Sequence, residues 1–426
     1  MPAAGPVAIF ALLFAAGDLQ VGAGAQAELR AGQAPLLSGE SPSTFLMALL
    51  TADADLYWTT AQGESSLRYA PRLLWRDPSP NDQIRPLVLH VFGFNYRDRP
   101  NRRTELVLQA DGSYGEVDYA YLGQALPGQA TLPAATRILS LQGSARLAWR
   151  ASRRTSLQAG LSLLNWRTLD STTAPTTGAA SGATSLPEQT RLGFEPQLSY
   201  ALSRRNTLLL RADLTYNIVQ ASNASGSLAS ASGFSALAWQ PQVAWRSELN
   251  RRHRLELQAG VVIARLFADP CTTNSFTPVA PIGGARLASL LYQSRSLGVR
   301  GDLSGAASWN LDPVLRTGVL RGQGNTSVGA ALGPRWRAEL SGMVSTNLTR
   351  HPLPGDPDET MFMARLPFRF QASRHFVLEV GARYSERAQH LSAPKFSWHG
   401  RESFVYVMLT VVERASLLTV GPSSRR

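Results

Sequence analysis

Apolar and polar residues alternate with a period of two over unusually long runs of this chain. Between Ser203 and Val219 one row reads Leu208, Leu210, Ala212, Leu214, Tyr216 and Ile218. The other reads Thr207, Leu209, Arg211, Asp213, Thr215 and Asn217. A period of two puts the rows on opposite faces of a strand. A run of about a dozen residues is roughly twice the usual strand length. Just upstream, Leu192, Phe194, Pro196, Leu198, Tyr200 and Leu202 alternate with Arg191, Gly193, Glu195, Gln197 and Ser199, and the two runs meet at Ser203-Arg204-Arg205.

The same hairpin recurs. Leu139, Leu141, Ala145, Leu147 and Trp149 pair with Leu157, Ala159, Leu161 and Leu163 across Ser152-Arg153-Arg154. Leu237, Trp239, Val243 and Trp245 pair with Leu255 to Ile263 across Asn250-Arg251-Arg252. Phe362 to Phe370 pairs with Phe376 to Tyr384 across Ser373-Arg374-His375. The repeated unit is strand, short turn, strand, long connection. The long connections are polar and aperiodic. Those after Trp166 and Val219, around Cys271, after Leu348 and after Tyr384 are rich in Gly, Ser, Thr and Pro and read as solvated loops.

Tight turns at one end and long loops at the other are how outer-membrane β-barrels are built. An open sheet edge in hydrocarbon leaves N–H and C=O groups unpaired at several kcal/mol each, so such a sheet closes on itself. The expected fold is therefore all-β: a transmembrane antiparallel barrel of about sixteen strands, with short periplasmic turns and long extracellular loops. The strands are expected near 66–76, 86–96, 104–119, 138–150, 155–166, 190–202, 206–219, 235–246, 254–266, 282–292, 297–309, 324–333, 336–347, 361–371, 375–385 and 403–412. A further run at Ala54 to Thr60, and another upstream, would raise the number to eighteen. Pro71, Pro196 and Pro241 fall inside these strands on the outward row, where each removes a ladder hydrogen bond and local bulges are expected.

Val7 to Ala16 is an apolar core followed by Ala25-Gln26-Ala27, the pattern of an export signal, although no positive residue precedes it and Asp18 follows. The expected organisation is a signal peptide over 1–27, a periplasmic segment over 28–64, a barrel over 65–414 and a tail over 415–426. On these alternating strands, from about Leu67 to Arg414, the chain resembles the porin-like outer-membrane barrels of Gram-negative bacteria. It is similar too to barrels found beside polysaccharide-export systems. The resemblance implies transport through a water-filled lumen, with outer-membrane lipid, the barrel-assembly machinery and periplasmic export components as partners. No plug domain precedes the first of the expected strands, which speaks against an energy-coupled nutrient receptor.

Charge sharpens the expectation. The chain of 426 residues has a formal net charge of +12 and a pI of about 10.5. Nearly all its basic residues are Arg, with Lys395 the one lysine. On the row facing the lumen stand Arg68, Arg72, Arg146, Arg150, Arg191, Arg211, Arg300, Arg337, Arg365, Arg369 and Arg383. Glu105, Asp111, Glu195, Asp213, Glu256, Asp302, Glu339 and Glu379 share it. Opposed Arg and carboxylate rows orient solutes across a constriction, or zip neighbouring strands together. An excess of Arg favours anions through charge and bidentate hydrogen bonds. The expected cargo is an anionic solute or polysaccharide; a non-conducting scaffold whose loops bind partners is the alternative. The aromatics, among them Trp149, Tyr200, Trp245 and Trp336, gather near strand ends as interface girdles, with Trp166 alone in the inward row.

Other chemistry finds little support. His253 and His375 sit in short turns, while His351, His390 and His399 are expected in loops near Asp356 and Asp358. No phosphate-binding glycine loop or metal-ligand spacing is present. Successive Arg residues are spread over many strands rather than gathered into a nucleic-acid patch. Cys271 is the single cysteine and has no partner. Neither an enzyme, a cofactor, a metal site nor a nucleic-acid partner is expected.

Overall fold

The row Leu208–Ile218 faces outward and the row from Leu209 to Val219 faces inward, with Leu210 and Leu214 exposed and Leu209, Thr215 and Asn217 buried. The same division holds around a closed antiparallel sheet in the computed structural model. The described residues are 17–34, 43–77, 86–118, 135–171, 188–220, 233–267, 279–294, 296–312, 317–348, 357–391 and 396–419.

Eighteen strands make the sheet: β1 (Gly17–Ala34), β2 (Ser43–Thr60), β3 (Gly63–Asp77), β4 (Leu87–Asn101), β5 (Thr104–Asp118), β6 (Ala135–Arg150), β7 (Thr155–Ser171), β8 (Gln189–Ala201) and β9 (Asn206–Val219). They continue as β10 (Phe234–Glu248), β11 (His253–Phe267), β12 (Val279–Gln293), β13 (Leu297–Asp312), β14 (Thr317–Leu332), β15 (Trp336–Asn347), β16 (Pro357–Gln371), β17 (Phe376–Leu391) and β18 (Phe396–Thr419). Each strand pairs with its sequence neighbours, and β1 closes the barrel on β18 from Asp18↔Thr419 to Gln33↔Ser403. Closure leaves no edge unpaired, which a sheet in hydrocarbon requires.

The outer face is a belt of exposed apolar side chains on every side, such as Leu29, Leu67, Leu161, Leu303, Leu340 and Val405. Water would not tolerate such a surface. An apolar outside, a polar inside and a closed sheet make this an outer-membrane β-barrel. No helix among the described residues is long and apolar enough to cross a membrane.

The strand number is eighteen, the higher of the two expected: Ala54 to Thr60 belongs to β2, and β1 is the further strand upstream. Residues 28–64, expected as a periplasmic segment, complete β1, form all of β2 and start β3. Ala25-Gln26-Ala27, expected as a cleavage site, lies inside β1, paired with Thr410, Leu409 and Val411 of β18 and with Leu50, Thr51 and Ala52 of β2. At the other end β18 runs on to Thr419, so the barrel takes in part of the expected tail. The stretch after Tyr384 is largely strand, because β17 reaches Leu391 and β18 begins at Phe396.

The prolines do not produce bulges. Opposite Pro71 the β2–β3 pairing stops at Thr51↔Arg72 and resumes in the same register at Ala54↔Tyr69, while Pro71 stays paired with His90 of β4. Pro196, Pro241 and Pro367 leave the same one-sided gap with no shift. In an antiparallel ladder the N–H and C=O of one residue point to the same neighbour. A proline therefore weakens one seam and spares the other. True register shifts occur elsewhere, as between Leu290 and Tyr292.

Candidate functional site: a basic and aromatic sector of the inner wall

Strand alternation places the predicted lumen residues on the inner face together. Arg68 and Arg72 stand on β3, Arg146 on β6, Arg191 and Glu195 on β8, Arg211 and Asp213 on β9, Arg300 on β13, Arg337 on β15, Arg365 and Arg369 on β16, and Glu379 on β17. They do not share one environment.

Much of the wall is zipped by ion pairs between neighbouring strands. Arg68 Nε donates to Asp53 Oδ1 at 2.8 Å, joining β3 to β2. Arg97 on β4 binds Glu105 on β5 and reaches Glu64 on β3 at 3.5 Å. A longer row crosses four strands with alternating sign. Arg246 donates to Glu256 at 3.0 Å, Glu256 faces Arg286 in register, and Arg286 reaches Asp302 at 2.8 Å. Arg211 donates to the side-chain oxygen of Gln197 at 3.2 and 3.3 Å, and Asp213 lies in the field of both Arg211 and Arg191. Water-exposed pairs of this kind contribute about 0–1 kcal/mol each, so they fix neighbours more than they stabilise the barrel.

The sector from β15 through β18 to β1 is different. Arg337 stands directly opposite Arg369, and Arg365 directly opposite Arg383. Like charges facing each other across a ladder destabilise it. Arg337 and Arg369, like Arg72, Arg146, Arg150 and Arg300, make no ion pair among the described residues. Glu379 is held tightly within the sector. Arg365 donates to Tyr406 Oη at 3.1 and 3.2 Å and to Glu379 Oε1 at 3.0 Å, and Tyr406 Oη donates to the same Glu379 oxygen at 2.9 Å. On β1, Arg30 makes a bidentate pair with Glu28, at 2.7 and 3.0 Å.

Aromatic rings separate these guanidinium groups. Arg30 and Arg383 lie 5.3 and 5.8 Å from the Phe404 ring centre, and Arg365 lies 5.7 Å from that of Tyr406. Arg76 stands 5.5 Å from the Phe45 ring. Stacking on an aromatic face offsets part of the repulsion between arginines without neutralising them. Gly381, opposite Tyr406, is the residue that admits its ring: a Cβ there would stand 2.6 Å from Cζ and Oη.

The inner wall also holds apolar packing. Phe45, Met47, Leu49, Leu74, Leu87, Phe404 and Tyr406 form a cluster with every member at most 9% exposed. Across the barrel, Ala238, Val262, Ala264, Ala280 and Ile282 belong to a second. Both mark wall that is packed and dry rather than bathed.

The aromatic and charged residues of β1, β2 and β18 are the part of the site that sequence reasoning missed. In 404–409 both rows are apolar, so alternation shows no contrast there. Among the described residues, His90, His253 and His375 each meet a separate local partner, His90 meeting Tyr69 Oη at 2.8 Å. His253 bonds Ser289 and His375 bonds the Val412 carbonyl at the short-turn rim. His390 and His399 lie in strands β17 and β18 rather than in loops, and Asp358 on β16 pairs in register with His390. His351 and Cys271 fall outside the described residues. No group of three potential metal ligands occurs among the described residues.

No family model and no curated protein matches the chain. Among solved structures it is similar to a mutant of the ferric enterobactin receptor PfeA from Pseudomonas aeruginosa, at 10% identity and a TM-score of 0.47, covering 91% of this chain and 80% of that one. It is similar to the siderophore receptor PirA from Acinetobacter baumannii, at 6% identity and TM-score 0.48, covering 92% and 80%. The ferric citrate transporter FecA matches at 9% identity and TM-score 0.47, covering 93% and 79%. These are receptors and a transporter, and none of the three is a porin by name. At such identities nothing they bind is carried over to this chain.

Proposed function

We propose that this barrel passes polar, anionic solutes or acidic polymer across a bacterial outer membrane through a basic lumen. The observation that carries the reading is the opposition of Arg337 and Arg369 on adjacent strands, neither of which makes an ion pair among the described residues. A wall selected for stability alone would alternate the charges, as Arg246, Glu256, Arg286 and Asp302 do. Guanidinium groups side by side on neighbouring strands are neutralised by a passing anion, which bridges them bidentately. A barrel of eighteen strands is wide enough to hold an aqueous channel.

A second reading rests on the two dry clusters of the inner wall. Inward side chains such as Phe45, Met47 and Val262 are almost fully buried, which an open, water-filled lumen would not leave so. That favours a barrel closed at rest, gated or acting as a scaffold.

Single-channel conductance in a planar bilayer separates the two. Open steps with an anion-selective reversal potential are expected of the pore, and Arg337→Glu with Arg369→Glu should shift selectivity toward cations. Absence of conductance from a folded, heat-modifiable barrel would refute the open pore and leave the closed one.

A further inference from the structure

The short turns carry a second pattern that the lumen does not use. Asn101-Arg102-Arg103, Ser152-Arg153-Arg154, Ser203-Arg204-Arg205, Asn250-Arg251-Arg252 and Ser373-Arg374-His375 share one form, and Gly333-Pro334-Arg335 also ends on Arg. The turn geometry needs only the first residue. Ser152 Oγ accepts from the backbone N–H groups of Arg154 and Thr155, at 3.1 and 3.0 Å. Ser203 Oγ does the same for Arg205 and Asn206, and Asn250 Oδ1 for Arg252 and His253. These side chain–backbone turns are closed by Ser or Asn, and nothing in them calls for Arg at the next two positions.

The backbone of the last turn residue is used as well. Arg103, Arg154, Arg205, Arg252 and Arg335 each accept, through the carbonyl, a hydrogen bond from the strand of the adjoining hairpin, at 2.7 to 2.8 Å. The rim is thus a tied ring that holds these residues at one height. Their side chains are all exposed and make no ion pair among the described residues. Several carboxylates nearby are held by other arginines: Glu64 and Glu105 by Arg97, and Glu248 by Arg254.

The depth of the ring is marked by aromatics on the outer face. Trp149, Tyr200 and Trp336 are exposed outward within a few residues of the arginines, and Trp336 packs on Phe370 with ring centres 4.3 Å apart. Such a girdle lies at the boundary between hydrocarbon and headgroups. Arg153 and Arg154 lie four and five positions beyond Trp149, and Arg204 and Arg205 four and five beyond Tyr200, which carries them outward toward headgroup depth.

We infer that the arginine ring of the short-turn rim binds the phosphates of anionic phospholipids in the leaflet it borders. The occupant follows from distribution. A protein partner would contact one arc, whereas these arginines occur in hairpins from β4–β5 round to β16–β17, and lipid surrounds all of them. Guanidinium groups bind phosphate bidentately, and each basic residue near a membrane surface strengthens binding to anionic lipid by up to about fivefold.

The test is native mass spectrometry of the full chain in detergent, titrated with phosphatidylglycerol or phosphatidylcholine, and separately with inorganic phosphate and soluble polyglutamate. Wild type is expected to retain phosphatidylglycerol at least about threefold better than phosphatidylcholine, with the preference falling as salt rises. Replacing Arg153, Arg154, Arg204, Arg205, Arg251 and Arg252 by Gln should abolish the preference, and replacing the same six by Lys should retain most of it. Equal retention of the two lipids by wild type overturns the inference, whatever the variants do. So does tight capture of polyglutamate without lipid preference, which would put an acidic protein in the lipid's place. Retention of inorganic phosphate with no preference between the lipids would mark an ion site instead and overturn it too.

Discussion

Gly381→Ala tests how the aromatic sector is held. The added Cβ would stand 2.6 Å from Tyr406 Cζ and Oη and 2.7 Å from Cε1. Carbon atoms in ordinary contact sit at about 3.5–4.0 Å, so the ring must retreat by about 1 Å. A free tyrosine would swing aside at little cost. Tyr406 is 4% exposed, and its hydroxyl joins Glu379 to Arg365. A retreat of that size stretches both bonds. Hydrogen bonds to charged groups contribute about 1.5–3 kcal/mol, and overpacking a filled site costs about 1–3 kcal/mol. The substitution is therefore expected to destabilise the barrel by about 2–4 kcal/mol. Urea unfolding of the refolded protein, followed by tryptophan fluorescence, reads the loss. In a Tyr406→Ala background the obstruction is gone, and the same substitution should cost less than about 0.5 kcal/mol. Equal costs in the two backgrounds would refute the reasoning, as would a Gly381→Ala protein of wild-type stability.

Other outcomes follow from the same geometry. Glu256→Gln leaves Arg246 without its partner while Asp302 still holds Arg286; stability should fall by no more than about 1 kcal/mol, and reversal potentials should move toward anions. A chain beginning at Glu28 retains only the last part of β1 and is expected to lose the heat-modifiable mobility of a closed barrel. If it refolds as wild type does, cleavage after Ala27 is compatible with the fold.

Where one face is polar and the other apolar, the strands could be read directly, and β9 and β16 are the clearest cases. Reading failed where that contrast disappears. In β1 the outward row is mostly small, with Val21, Ala23, Ala25, Ala27 and Leu29, and against an apolar leader it resembles a processing site. In β2 both rows are apolar, since Phe45, Met47 and Leu49 face inward against Leu46 and Leu50 outside. The inward arginines were legible one by one because charge on a period-two row has one place to go. Their pairing was not legible, because opposition of Arg337 and Arg369 depends on the register of two strands joined by a long connection. The same holds for Phe404 and Tyr406, which acquire a role only once β18 is laid beside both β17 and β1.

The seam between β1 and β18 has a kinetic consequence. Every other seam joins consecutive strands, so its hairpin can form as soon as both arms have left the synthesis machinery. The closing seam unites residues as far apart as Gln26 and Met408, whose side chains meet although 382 positions separate them. Joining ends across so long a loop is entropically slow, and until it happens two unsatisfied edges are open to pairing with another chain. The step that completes this barrel is thus the one at which it is most exposed to error. Whatever escorts the chain into the membrane must keep the first strand waiting until the last one arrives.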